Sequence, residues 1–73
     1  MDWVAQQQKN YEDQVLAEIV GCGVRAYLLD FERIREAADY HIDMVYQMGG
    51  EMLPAHEFAN LIMAMKPEWV GNG

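Results

Sequence analysis

Four carboxylates, Glu32, Glu36, Asp39 and Asp43, recur at i, i+4, i+7 and i+11. On a helix that spacing sends all four out within about 60° of one another. Carboxylates so grouped could form an acid–base pair, hold a cation, or present a block of negative charge. Acid–base work needs a cleft that separates two pKa values, and a chain of 73 residues is expected to leave little room for a pocket of several hundred Å³. Calcium draws its oxygens from a tight loop with a glycine turn, which helical spacing cannot imitate. The third use is left: a negative ridge that docks on a basic groove, weighed against an ordinary solvated face. Like charges at i, i+4 cost an isolated helix about 0.2–0.5 kcal/mol per pair, and only Arg33 and Arg35 flank the row to relieve it.

The other chemistry-bearing residues form no catalytic set. His56-Glu57 begins like a zinc-protease helix, but Asn60 stands where the second histidine is required. His41 falls on an apolar helix face and reads as a packing residue with one ring nitrogen hydrogen-bonded. Cys22, the single cysteine, excludes an internal disulfide, has no base at a telling spacing and reads as a small filler. A glycine-rich phosphate loop, a serine elbow and a cysteine–histidine cluster are all missing. The chain is therefore expected not to be an enzyme and to need no cofactor or metal.

The elements that must position these residues follow from punctuation and period. Gly21-Cys22-Gly23, Gly49-Gly50, Pro54 and Pro67 divide the chain into three helical stretches. The first is expected from Asn10, a candidate N-cap, to Val20, with Tyr11, Val15, Leu16, Ile19 and Val20 apolar. Asp2 could start the helix earlier, but Gln6–Lys9 offer no apolar face, so residues 1–9 are expected as an arm or a frayed first turn. The second runs to Met48 from about Val24 or from Asp30, a candidate N-cap that would divide the segment, with Ile34, Ala38, His41, Val45 and Met48 on one side and Phe31, Ala37 and Met44 beside them. Val24–Leu29 could be strand or helix, and helix is favoured because no second strand is available to pair with it. The third opens at Pro54 with Phe58, Leu61, Ile62 and Met65 on one side and stops at Lys66-Pro67. The expected fold is all-α: one domain over residues 1–73, a bundle of about three helices with a core over 10–66, an arm at 1–9 and a tail at 67–73 whose Trp69 is either folded back on the core or left outside as an anchor.

Charge narrows the class of partner. Five Lys and Arg stand against twelve Asp and Glu, a net charge of −7. Such a chain cannot neutralise phosphates, so nucleic acid is not expected as a direct ligand, and anionic membranes are disfavoured. A basic protein surface fits. No stretch approaches a membrane span and no basic leader precedes an apolar run, so a cytoplasmic location is expected. Trp and Tyr are favoured binding anchors, which adds Tyr40 beside the acidic row, Trp3 with its neighbour Val4, and Trp69 to the four carboxylates as candidate protein-binding residues.

Taken over its whole length, with its acidity and its Met1-Asp2-Trp3-Val4 start, the chain resembles the small host-takeover proteins of bacteriophages. Among these it is similar to the RNA-polymerase-binding transcription regulators, such as that of a lytic Xanthomonas phage. The resemblance implies work in the bacterial host cytoplasm: binding to the N-terminal part of the β′ subunit, displacement of σ and inhibition of initiation, and antitermination on elongating polymerase. Two other readings stand beside it. One is a phage inhibitor of another host system, such as a CRISPR complex or a quorum-sensing regulator. The other is a helical homodimer, and the residues leave monomer or dimer open.

Overall fold

A computed structural model describes residues 3–71, with side chains from residue 5 onward. Three α-helices occur in chain order: α1 (Trp3–Gly21), α2 (Phe31–Met48) and α3 (Ala55–Met65). Two short 3₁₀ turns, Ala26–Leu28 and Pro67–Val70, complete the described elements, so the fold is all-α.

Helix α1 packs against both α2 and α3, while the final 3₁₀ turn touches both of those helices. The core takes Tyr11, Val15, Leu16 and Ile19 from α1, Ile34, Ala38 and Ile42 from α2, and Ala59 and Ile62 from α3. Leu29 and Val70 close it from the connections. Val15, Ile19 and Ile34 have no exposed surface, and deleting such a side chain to Ala costs about 2–5 kcal/mol.

The helix ends have local causes. Asp30 caps α2 by accepting from the Arg33 N–H at 3.2 Å, which satisfies one of the amides that a first turn leaves open. Gly49 ends α2 in the left-handed conformation, φ 73°, its N–H donating to the Val45 carbonyl at 2.8 Å. The Pro54 carbonyl accepts from the N–H groups of Glu57 and Phe58 and so starts α3.

Four expectations are corrected. Residues 3–9 are not an arm but the opening turns of α1. Alanine and glutamine are good helix formers without an apolar face; Gln6 Nε2 donates to Asn10 Oδ1 at 3.1 Å, and Asn10 is mid-helix rather than a cap. Of the two alternatives for the segment after Lys66 the folded-back one is found and a mobile tail is not, because Val70 is buried and the Asp30 N–H donates to the Trp69 carbonyl at 2.8 Å. On α3 the buried pair is Ala59 and Ile62, whereas Leu61 and Met65 face outward. Eight of its eleven residues are apolar, so periodicity did not single out one face. Finally, Val20 and Met48 are exposed, and Ile42 takes the place in the core that the pattern gave to Met48.

Candidate functional site

The acidic row does not form one open ridge. Glu32, Glu36 and Asp43 are exposed, as is Tyr40 beside them. Asp39 is half-buried and turned toward α1, where it meets Glu12. The reason lies one turn along: Ile42, three residues on, is buried, so the core reaches to within about 60° of the Asp39 direction.

Glu12 was not legible as a functional residue, yet it is the one buried charged residue among those described. The signal was present, because Glu12 stands four residues before the buried Leu16 and beside the buried Tyr11, inside the apolar arc of α1. Arg35 Nη1 donates to Glu12 Oε1 at 2.8 Å and lies 3.8 Å from Asp13 Oδ1. Arg33 Nε lies 3.5 Å from Asp30 Oδ2. Both arginines of α2 are therefore directed away from Glu32, Glu36 and Asp43, and among the described residues those three carboxylates have no ion-pair partner.

The carboxyls of Glu12 and Asp39 behave as a pair. Burial pushes Asp39 up to about 7; a hydrogen bond with Glu12 and the charges of Glu12 and Asp43 push the same way, while Arg35 opposes them. Arg35 bonds to Glu12, and burial together with the nearby Glu12 favours the protonated form of Asp39. Two ionised carboxylates have no donor between them, so the Asp39–Glu12 bond exists only while Asp39 is protonated. Asp39 Oδ1 is buried without a hydrogen-bond partner, a further penalty on the charged form.

On the other side of α1 the polar contact is of a different kind. The Tyr11 hydroxyl donates to the Leu53 carbonyl at 2.7 Å, and the Leu53 N–H donates to His41 Nε2 at 3.0 Å. His41 also stacks on Phe58 with ring centroids 5.2 Å apart, and Tyr11 lies 5.8 Å from Phe58. Burial holds the His41 pKa below its usual value and pushes the Tyr11 phenol up to about 12. His41 is thus a packing residue with one ring nitrogen bonded, as its place on α2 implied.

The aromatic candidates separate. Trp69 is half-buried, its Nε1 is buried without an acceptor, and Lys66 Nζ stands 5.3 Å from its ring centroid. That lysine–indole contact is a cation–π arrangement. The side chains of Trp3 and Val4 lie outside those described. The surface also has more relief than its length led us to expect, with open hollows of about 420 and 430 Å³. Their walls are mainly apolar, and each holds one carboxylate, Glu51 or Glu57, so neither assembles an acid–base pair. Among the described residues no group of three or more His, Cys, Asp or Glu is placed to hold a metal ion, and no helix is long and apolar enough to cross a membrane.

What the arrangement offers is an exposed row of three carboxylates with a tyrosine beside it, backed by a polar seam that occupies the neighbouring arginines. No protein-family model matches the chain, and no curated protein or solved structure matches it.

Proposed function

We propose that the protein works without catalysis, as an acidic module that docks on a basic surface of a larger macromolecule through Glu32, Glu36 and Asp43, with Tyr40 as a neighbouring anchor. One observation carries this reading: the two arginines of α2 are committed to Asp30, Glu12 and Asp13, so the outer carboxylates face solvent uncompensated. A single-sign row raises the encounter rate with an oppositely charged partner and disfavours nucleic acid. A partner that supplies cations would also relieve the repulsion within the row.

The resemblance to phage transcription regulators names the candidate partner, the N-terminal region of the β′ subunit of bacterial RNA polymerase. Occupancy there would displace σ, inhibit initiation and favour antitermination. No chemistry is required for displacement, because a protein that favours the σ-free form by about 4 kcal/mol shifts the equilibrium roughly a thousandfold.

The test is capture from a bacterial lysate with the wild-type chain and with the triple variant Glu32→Gln, Glu36→Gln, Asp43→Asn. The wild type is expected to recover polymerase subunits, less so as salt rises, and the triple variant to bind at least about tenfold more weakly, or about 1.4 kcal/mol. Its fold should gain a few tenths of a kcal/mol as the repulsion disappears, so lost binding cannot be ascribed to unfolding. Equal capture by both proteins would return the row to a solvated face.

A further inference from the structure

Asp39 belongs to the acidic row by its place on α2 and to the buried seam by packing, so it links the two. It stands three residues after Glu36 and four before Asp43, one helical turn from each. Its Oδ1 is shut off from solvent and meets no donor. Across the contact with α1 it faces Glu12, which is only 8 % exposed. Arg35, one turn before Asp39, bonds to Glu12 at 2.8 Å and lies 3.8 Å from Asp13. One guanidinium is therefore set against three carboxyls, those of Glu12, Asp13 and Asp39.

The charges that act on Asp39 come from both helices, Glu12 from α1 and Arg35 and Asp43 from α2. Glu12 and Asp43 favour its protonated form, and Arg35 opposes them. Asp43 is the member that reaches outside, because it is exposed and has no ion-pair partner among the described residues. Its charge helps to hold a proton on Asp39, so a cation seated on Asp43 loosens that proton. By linkage the proton weakens the cation's hold by the same factor.

We propose that Asp39 is a reserve member of the docking row: when the row meets a cationic surface, Asp39 gives its proton to solvent, its bond to Glu12 is lost, and its charge joins those of Glu32, Glu36 and Asp43. This regulation rests on the docking of that row described under the proposed function. Docking is then proton-linked and weakens in acid. Below the pH at which Asp39 ionises in the free chain, about 7, each docking event must also expel a proton; above it the charge is already present and the affinity levels off. Stability and binding thus make opposite demands on one side chain. Protonated, Asp39 closes the seam between α1 and α2; ionised, it strengthens the outer face.

A peptide of about eight arginines, acetylated and amidated, is the probe, because its guanidinium groups stay charged throughout and its ends carry no charge. Isothermal titration calorimetry on the full chain at low salt, from about pH 5.5 to about pH 8.5, reads the affinity. Repeating it in buffers of different ionisation enthalpy reads the protons released. The wild type is expected to bind at least about fivefold more tightly at the upper pH. It should release part of a proton at about pH 6.5 and none at about pH 8.5. Asp39→Asn cannot ionise yet keeps a donor for Glu12, so it should match the wild type in acid and bind about fivefold more weakly at the upper pH. Carbon-13 carboxyl NMR gives a second reading: the titration midpoint of Asp39 should fall when peptide saturates the chain, and also in Asp43→Asn without peptide. Peptide binding that is lost in the triple variant Glu32→Gln, Glu36→Gln, Asp43→Asn but is flat with pH in the wild type overturns the inference and leaves the docking standing. So does an equal pH dependence in Asp39→Asn, which would assign the titration to a histidine. Binding that the triple variant leaves intact, or no binding at all, removes the docking row and this inference with it.

Discussion

Tyr11 and Glu12 are neighbours on α1, yet the two contacts they make answer acid in opposite senses. On the Glu12 side a protonated Asp39 bonds to a carboxylate that Arg35 holds. On the Tyr11 side an unprotonated His41 accepts from the Leu53 N–H. Asp39 titrates at about 7 in the folded chain, above the ordinary carboxylate value of 3.8. Between those two values the folded state holds a proton that the unfolded state has lost, so this contribution is full below about pH 4 and disappears as pH rises through 7. His41 is held below 6.5, so its contribution is full above that value and is lost as pH falls through the depressed one. The lesson is that a bundle this small carries two proton-linked contacts of opposite sign on one helix, each separately addressable.

The comparison breaks most readily on the ring side, where packing dominates. Phe58→Ala removes the ring that both Tyr11 and His41 contact and should cost about 3 kcal/mol, seen as a lower urea midpoint and, with the aromatic packing gone, a weaker near-ultraviolet dichroism. On the carboxyl side the largest effect belongs to Arg35→Ala. It leaves Glu12 buried without its cation and should cost about 2 kcal/mol at pH 7, reduced from the value for a sealed pair because Arg35 is itself half-exposed. The smallest effect sharpens the contrast. Asp39→Asn keeps a donor for Glu12 at every pH, so it should stabilise the chain by about 1 kcal/mol at pH 8 and change it little at pH 4. With Asp39 no longer titrating, the fall in stability between pH 4 and 7 should disappear. A variant whose profile still falls over that window would place the titration elsewhere.

The sequence revealed what local chemistry dictates. Asp30 before an apolar period and Gly49 after it fix both ends of α2, the first through its side-chain oxygen and the second through the left-handed conformation that glycine adopts without strain. The inward turn of Asp39 was not legible, because helical spacing places four carboxylates within one arc but does not say from which side the neighbouring helix arrives. That is decided by Ile42 and by Glu12, a residue 27 positions away from Asp39. The phase of α3 escaped for the opposite reason. Its apolar residues lie on nearly every side, so the pattern could not separate the pair packed on α1 from the pair that faces outward. The glutamines of α1 hid a helix because they fit one without showing a stripe.

The docking of the final 3₁₀ turn has a kinetic consequence. Helical bundles fold quickly because most of their contacts join residues close in the chain, but the bond from the Asp30 amide to the Trp69 carbonyl spans 39 residues. That span must be brought together before the bond repays its loop-closure entropy. The Tyr11–Leu53 bond spans 42 residues and is no cheaper to close, so what sets the latch apart is its place in a turn of only four residues, held by fewer neighbours than a helix. Gly71, at φ 81°, shows how tightly that closure is fitted, because a Cβ there would come within 2.6 Å of the Leu28 Cβ. Excursions from the native state should begin at this latch, exposing the start of α2 to solvent exchange while the contacts of α1 stay shut.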